Sequence, residues 1–375
     1  MRYLKPCVYL FLVFVQPIES YALDMENKLS LSGTVSTVNQ WLKVTKDTED
    51  NSGTKDRGSI IVDISLSFRP MKDKEFFCLS SFGKGDGLKN VNPFMISLNG
   101  DTLSSELKDI SGHKRDHILE LWYSERFEFK KERSIKIKAG IVDSAAFIDD
   151  NTYAGNELHQ FMNEALVHSP TANLPSYDLG LLFEFETGGC NLRLVSMRSK
   201  NEIGKYYIWT GGQIGWNIKT TLGEGNYRLY VYTTNRRFES WSHGSLKALK
   251  GFGLSFDQKL FLEALGTFFR MGWQKDSAKV NFKEMYSIGL NLNGQLWRRK
   301  HDEIGMGCAY LRSPSRNEGV KSSQVFEFYS KVRLFGCEVL TSDLTIDYQY
   351  LRQKGHKLEG TKIGNVYGLR LNIIF

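Results

Sequence analysis

The chain has 375 residues, long enough for two or three ordinary domains or for one large β-barrel. Hydrophobic residues make up 41% and charged residues 24%, with 34 glycines, only 7 prolines and 13% aromatics, which excludes a disordered or linker-rich protein. The net charge of +7 is spread over 49 basic and 42 acidic residues, too diffuse for a nucleic-acid binder, so no nucleic-acid partner is expected.

Residues 1–22 carry Arg2 and Lys5, an apolar run from Cys7 to Val15, then Pro17 and the small-x-small end Ser20-Tyr21-Ala22. This is the pattern of a cleaved secretory signal. Its apolar core of about nine residues is too short for a spanning helix, which needs about 20. Residues 23–375 are then predicted as one domain. That domain keeps four cysteines, Cys78, Cys190, Cys308 and Cys337, too few for a disulfide framework. No Cys/His spacing suits zinc, and neither a metal nor a cofactor is expected.

From there the dominant signal has period two. Val62, Ile64, Leu66 and Phe68 alternate with Asp63, Ser65 and Ser67, as in a strand with one apolar and one polar face. Leu119, Leu121, Tyr123, Phe127 and Phe129 alternate with Glu120, Trp122, Ser124, Arg126 and Glu128, and Ile135, Ile137 and Ile141 with Lys136, Lys138 and Gly140. The pattern returns at Leu181 to Phe185, at Tyr227 to Thr233 against Arg228, Tyr230 and Tyr232, and at Tyr286 to Leu292. It closes the chain with Phe326 to Leu334, Leu344 to Tyr350 and Tyr367 to Phe375.

With weaker segments added, about sixteen strands are predicted, beginning near Leu29, Gly58, Glu75, His117, Ser134, Leu179, Cys190, Tyr206, Asn226, Lys250, Phe261, Glu284, Asp302, Ser323, Glu338 and Asn365. Short connections follow the even strands and longer ones the odd strands; Gly83 to Asp116 and Asp143 to Asp178 are very long. An even number of antiparallel strands with short turns at one end and long loops at the other is the organisation of an outer-membrane β-barrel. The fold class is therefore all-β, a closed transmembrane barrel, the one way a sheet satisfies its backbone in hydrocarbon. A secreted β-sandwich also alternates, but it needs neither sixteen strands nor a strict short-long rhythm. Tyr348, Tyr350, Tyr367 and the terminal Phe375 are expected in the interfacial girdles. Cys190 and Cys337 fall in turns on opposite sides of the ring and are not expected to bridge; Cys308 has lipid-facing parity.

Several stretches resemble the carbohydrate-selective porin family of Gram-negative outer membranes, the OprB type. They are Leu119-Glu120-Leu121-Trp122-Tyr123, the block Ala146 to Asn151 with Tyr153-Ala154, and its continuation through Gln160 to Asn163, Pro170, Pro175 and Tyr177 to Gly180. Gly251 to Gln258, Gly272-Trp273-Gln274, Trp297 and Asp302 to Gly307 extend the likeness, which covers residues 117–375 in patches. The resemblance implies a channel for passive diffusion of carbohydrates into the periplasm, narrowed by long loops folded into the lumen.

The loop from Asp143 to Asp178 is the first candidate for that constriction, with Asp149, Asp150, Asn151, Tyr153 and Asn163 as its polar candidates and Gly83 to Asp116 as its partner loop. The bland role of such residues is to cap turns or tie the loop to the wall. Leu158, Phe161, Ala165 and Leu166 fall at helical spacing, predicting a short helix over residues 156–167. Sugars need planar polar groups and aromatic faces. The inward row Glu120, Trp122 and Arg126, with Lys136 and Lys138 beside it and Arg193, Arg228 and Tyr230 further round, supplies both. An excess of inward base would instead favour acidic sugars or organic anions, and a binding or adhesion barrel without an open pore is a third reading. No G-x-S-x-G or comparable arrangement appears, so no enzyme and no catalytic residue is predicted. The expected partners are carbohydrate solutes, outer-membrane lipid and lipopolysaccharide, with monomer and homo-oligomer both left open.

Overall fold

The computed structural model describes residues 28–46, 53–110, 117–130, 132–242, 244–260, 264–317, 319–356 and 360–375; the expected signal segment lies outside them. The first nine strands are β1 (Leu29–Lys46), β2 (Gly53–Met71), β3 (Lys74–Lys84), β4 (Ile118–Lys130), β5 (Arg133–Val142), β6 (Asp178–Thr187), β7 (Cys190–Lys200), β8 (Tyr206–Thr220) and β9 (Gly223–Thr234). A small ribbon, β10 (Phe238–Glu239) with β11 (Leu246–Lys247), sits in the following loop. Then come β12 (Lys250–Lys259), β13 (Leu265–Gln274), β14 (Glu284–Asn293), β15 (Glu303–Arg312), β16 (Val320–Gly336), β17 (Thr341–Gly355) and β18 (Thr361–Ile374).

Without the ribbon, sixteen strands form one closed antiparallel barrel, each pairing with its neighbour in sequence and β1 closing on β18. The predicted strand starts fall within about five residues of the observed ones. At the short-turn end, Thr187 pairs with Cys190 across Gly188-Gly189, whose φ values of 48° and 83° are those a two-residue hairpin needs. Strand length varies round the ring. The strands β5, β6 and β12 to β15 have 10 residues each, whereas β1 has 18, β2 has 19 and β16 has 17.

The outer face is apolar where a bilayer would meet it. Ile64, Leu66 and Phe68, Leu179 and Leu181, Ile288 and Leu290, and Ile346 and Leu369 are all exposed. Tyr348 and Tyr367 lie ring to ring at 5.4 Å, and the ring of Phe375 occupies the space that a side chain on Gly33 would fill.

Two details differ from expectation. Leu119 was expected to face lipid, but a bulge at Leu79/Ser80 breaks the alternation there and leaves Leu119 buried against Ile61, Leu107 and Ile110. The helix over residues 156–167 shrinks to α2 (Glu164–Val167). Wall side chains take the backbone groups that the helix would have used: Met162 N and Asn163 N donate to Glu327, while the carbonyls of Glu157, Leu158, His159 and Gln160 accept from Arg370, Asn372, Lys331 and Arg370 respectively. The other helical turn, α1 (Ser104–Leu107), belongs to the first long loop.

Both long loops fold into the barrel, so the core of the molecule lies in its lumen. Phe94, Ile96 and Leu98 of the first loop join Phe161, Leu166 and Val167 of the second against Leu42, Phe268, Met285, Leu311, Tyr329, Leu351 and Val366 of the wall. A second cluster packs Ile148 and Ala172 on Trp122, Val195, Trp209 and Tyr232.

Candidate functional site

The second long loop, residues 143–177, leaves β5 and returns to β6 through a tied stem. Ser144 Oγ donates to the Pro175 carbonyl at 2.6 Å, and Asp143 caps the turn by accepting from Ala145 N at 3.1 Å. Between these points the chain crosses the lumen and is held by wall residues from β7 to β18.

Arg270 on β13 is the centre of that attachment. Its Nε lies 2.8 Å from Asp149 Oδ1, and both side chains are 0% exposed. Its Nη1 donates to the Leu166 carbonyl at 3.0 Å and its Nη2 to the carbonyls of Ala154 at 2.8 Å and Asp149 at 3.2 Å. Asp149 completes the knot by accepting from Ser169 N through its other oxygen at 2.6 Å, while its own N–H donates to Gln213. One guanidinium thus joins the outgoing and returning limbs of the loop. Burial pushes the Asp149 carboxyl up to about 6, against the pull of Arg270 in the other direction. The left-handed backbone at Asp149, φ 65°, is one that aspartate tolerates better than most residues.

The other loop candidates are tied in the same way. Asp150 pairs with Arg193 and with Arg228, each at 3.1 Å, and accepts from Gln213 at 2.7 Å. Asn151 donates to Ser255 Oγ and to the Phe256 carbonyl. Tyr153 lays its ring where Gly266 leaves room, 2.1 Å from where a Cβ would stand. Asn163 caps α2 through Ala165 N and donates to Gln349. Nothing local in the sequence marks Arg270, Glu327 or Arg370 as anchors, although the inward parity of Glu327 and Arg370 is readable.

The wall candidates divide into two groups. Arg228 and Tyr230 lie under the loop; Arg228 is bound on its far side to Asp257 at 2.6 Å, and Tyr230 fills the space over Gly253. Arg193 is held between Asp150 and Glu184 at 2.6 Å. Glu120, Trp122, Arg126, Lys136 and Lys138 line the β4–β5 wall. Trp122 is 9% exposed, stacked on Phe77 at 4.8 Å, with its Nε1 donating to Glu120 at 3.0 Å. The Lys138 ammonium sits 3.4 Å above the Trp122 ring and 4.6 Å from that of Phe147, so both faces of the indole are covered. Lower on the wall, Arg126 is 45% exposed on its side chain and reaches Glu186 at 2.9 Å.

Above the crossing loop a cavity of about 990 Å³ opens between the two long loops and the outer ends of the strands. Among the described residues, no group of three or more His, Cys, Asp or Glu is placed to hold a metal ion.

Comparison with known proteins agrees with this architecture. The model of the carbohydrate-selective porin, OprB family, matches residues 86–328. An uncharacterized protein of Aquifex aeolicus strain VF5 is 29% identical over 276 residues, 72% of this chain and 73% of the relative. Among solved structures, the high-pH structure of Pseudomonas putida OprB is similar with a TM-score of 0.73 at 14% identity, covering 94% of this chain and 96% of that one. The low-pH structure of the same protein gives 0.54 at 13% identity, covering 94% of each, and Pseudomonas aeruginosa OccK11 gives 0.52 at 7%, covering 93% and 96%. The family match runs from the first long loop into β16 and takes in the whole lumen-crossing loop: the chain is an outer-membrane porin and belongs to the carbohydrate-selective porin family, OprB.

Proposed function

We propose that this porin lets carbohydrates diffuse passively from outside the cell into the periplasm, after export directed by residues 1–22, with its apolar belt in lipid and lipopolysaccharide around its outer rim. The observation that carries this reading is the loop 143–177, pinned inside a sixteen-stranded barrel by the buried Arg270–Asp149 pair and its carbonyl bonds. A barrel of that size encloses an aqueous lumen, and a fixed loop across it makes a narrow, pre-formed passage rather than a wide one.

The charges facing that passage suit a neutral polyol. Arg126 with Glu186, and Arg193 with Glu184 and Asp150, present donors and acceptors side by side with little net charge. Such pairs exchange hydrogen bonds with adjacent hydroxyls without holding an ion. Arg126, Arg193, Arg228 and Arg270, which would otherwise favour an anion-biased pore, are each paired with a carboxylate. Arg126 and Lys136 are the proposed solute-facing residues; Trp122, covered on both faces, shapes the wall.

Planar-bilayer recording of the refolded protein tests the reading. Stepwise conductance that glucose or a malto-oligosaccharide reduces is expected, and a membrane that shows no steps would refute a channel in favour of a binding barrel. Arg126→Ala is expected to raise the sugar concentration for half block about tenfold, the loss of about 1.4 kcal/mol; unchanged block would remove Arg126 from the path.

A further inference from the structure

The protein is basic overall, yet the charge left unpaired at the mouth of the lumen is negative. The cavity between the long loops is lined by eight carboxylates and three lysines, and two of the lysines are engaged in the surface pairs Lys89–Glu106 and Lys279–Glu239. At the point where the two loops touch, Gly100 N donates to the Met162 carbonyl at 2.7 Å, and a side-chain carbon on Gly100 would lie 3.6 Å from Glu157 Cβ. That contact sets Asp101 of the first loop beside Glu157 of the second.

Three more carboxylates converge there from separate segments. Asp101 is under the electrostatic influence of Glu157 and of Asp63 on β2; Glu157 is under that of Asp143 and Asp63; Glu120 on β4 is under that of Asp143. The cations facing the group are Arg370 and Lys138. Both are fixed in place, Arg370 by the carbonyls of Glu157 and Gln160 and Lys138 over the Trp122 ring, and they offset the group only in part: two cations face the five carboxylates Asp101, Glu157, Asp63, Asp143 and Glu120.

An independent observation marks the group as a site rather than a chance run of acids. Asp101 is 8% exposed, and its Oδ2 is buried with no hydrogen-bond partner. A buried carboxylate oxygen without a donor is costly and is normally satisfied by a cation or a proton. Burial also pushes the carboxyls of Asp101, Asp143 and Glu157 above their ordinary range, so a cation bound there competes with a proton.

We propose that Asp101 and Glu157, backed by Asp63, Glu120 and Asp143, form a binding site for a monovalent cationic group at the outer constriction, so that the channel favours solutes carrying a protonated amine, and inorganic cations, over anions. This rests on the channel reading above and adds the charge class of its solutes. The ammonium of an amino sugar and a potassium ion share the chemistry, and two measurements separate them.

Reversal potentials across a tenfold KCl gradient are expected to give a potassium-to-chloride permeability ratio several-fold above one, falling toward one in Asp101→Asn with Glu157→Gln. A wild-type ratio at or below one, or a ratio untouched by the double substitution, would overturn the site. Should the double variant fail to insert, Asp101→Asn alone is read by the same criterion. In wild-type channels, glucosamine is expected to block at a concentration about tenfold below that of glucose. Equal block together with a cation preference in KCl supports the site for inorganic cations and overturns its use for amino sugars. Absence of conductance overturns the channel itself and this site with it, whereas conductance without cation preference overturns the site alone.

Discussion

The residue whose role is most concentrated is Arg270. Removing its donors leaves the buried Asp149 carboxyl without its cation and strips partners from the carbonyls of Ala154 and Leu166. Breaking a fully buried pair in this way costs about 3–5 kcal/mol. Arg270→Met, similar in length and without donors, is therefore expected to free the loop while leaving the barrel closed. The measurement is single-channel conductance combined with limited proteolysis: a larger conductance and new cleavage within residues 150–168 are expected, and wild-type values for both would show that the loop is held by its apolar contacts alone. In the sequence, a tying role for Asp149, Asp150 and Asn151 was legible because short polar side chains after a strand commonly cap and tie. Arg270 was not, because its partner lies 121 residues away and nothing local distinguishes a clasping arginine from one that wets a lumen.

At the scale of elements, the strands were readable because lipid and water act on alternate residues and leave period two in each of them. Leu119 escaped that rule where a bulge places two residues opposite one. The loop escaped it for another reason: apolar spacing at Leu158, Phe161, Ala165 and Leu166 records which side chains are buried, while the backbone conformation follows the wall groups that compete for its hydrogen bonds. Within the loop, burial holds the Glu157 carboxyl up to about 7, reinforced by Asp143 and opposed by a backbone N–H and Arg370. A proton therefore binds more tightly to Glu157 in the seated loop than in a released one. Its stabilisation is complete below about 4.5 and is lost as the pH rises through about 7. Asp149, raised to about 6, acts in the same direction over a lower window. Hydrogen exchange of amides 157–167, corrected for intrinsic rates, is expected to show more frequent opening at pH 8 than at pH 5, with Glu157→Gln flattening the difference. An equal opening rate at both pH values in the wild type would rule this out.

For the whole molecule, the partition between lipid and lumen predicts where a charge is tolerated. Ile288 on β14 is 57% exposed on the outer face, with Tyr286 and Leu290 beside it on the same face. Ile288→Arg is expected to destabilise the barrel by about 2–4 kcal/mol, as arginine does near the middle of a bilayer. Denaturant unfolding in lipid vesicles measures it, and an unchanged midpoint would move the membrane band elsewhere on the strand. The unequal strand lengths carry a different consequence. At about 3.4 Å per residue and a tilt of about 40°, ten residues climb roughly 26 Å, close to the apolar band of such barrels, while the 19 residues of β2 climb roughly 50 Å. On β2 the apolar outer residues stop at Ile60, and Thr54, Asp56 and Gly58 continue above them toward the long-loop end. The strand ends are consequently lopsided, rising as a parapet at β1 and β2 and stopping near the apolar band at β12 to β15. To an antibody or a phage tail fibre approaching the cell, the outer ends of β1 and β2 offer a polar ledge standing clear of the lipid.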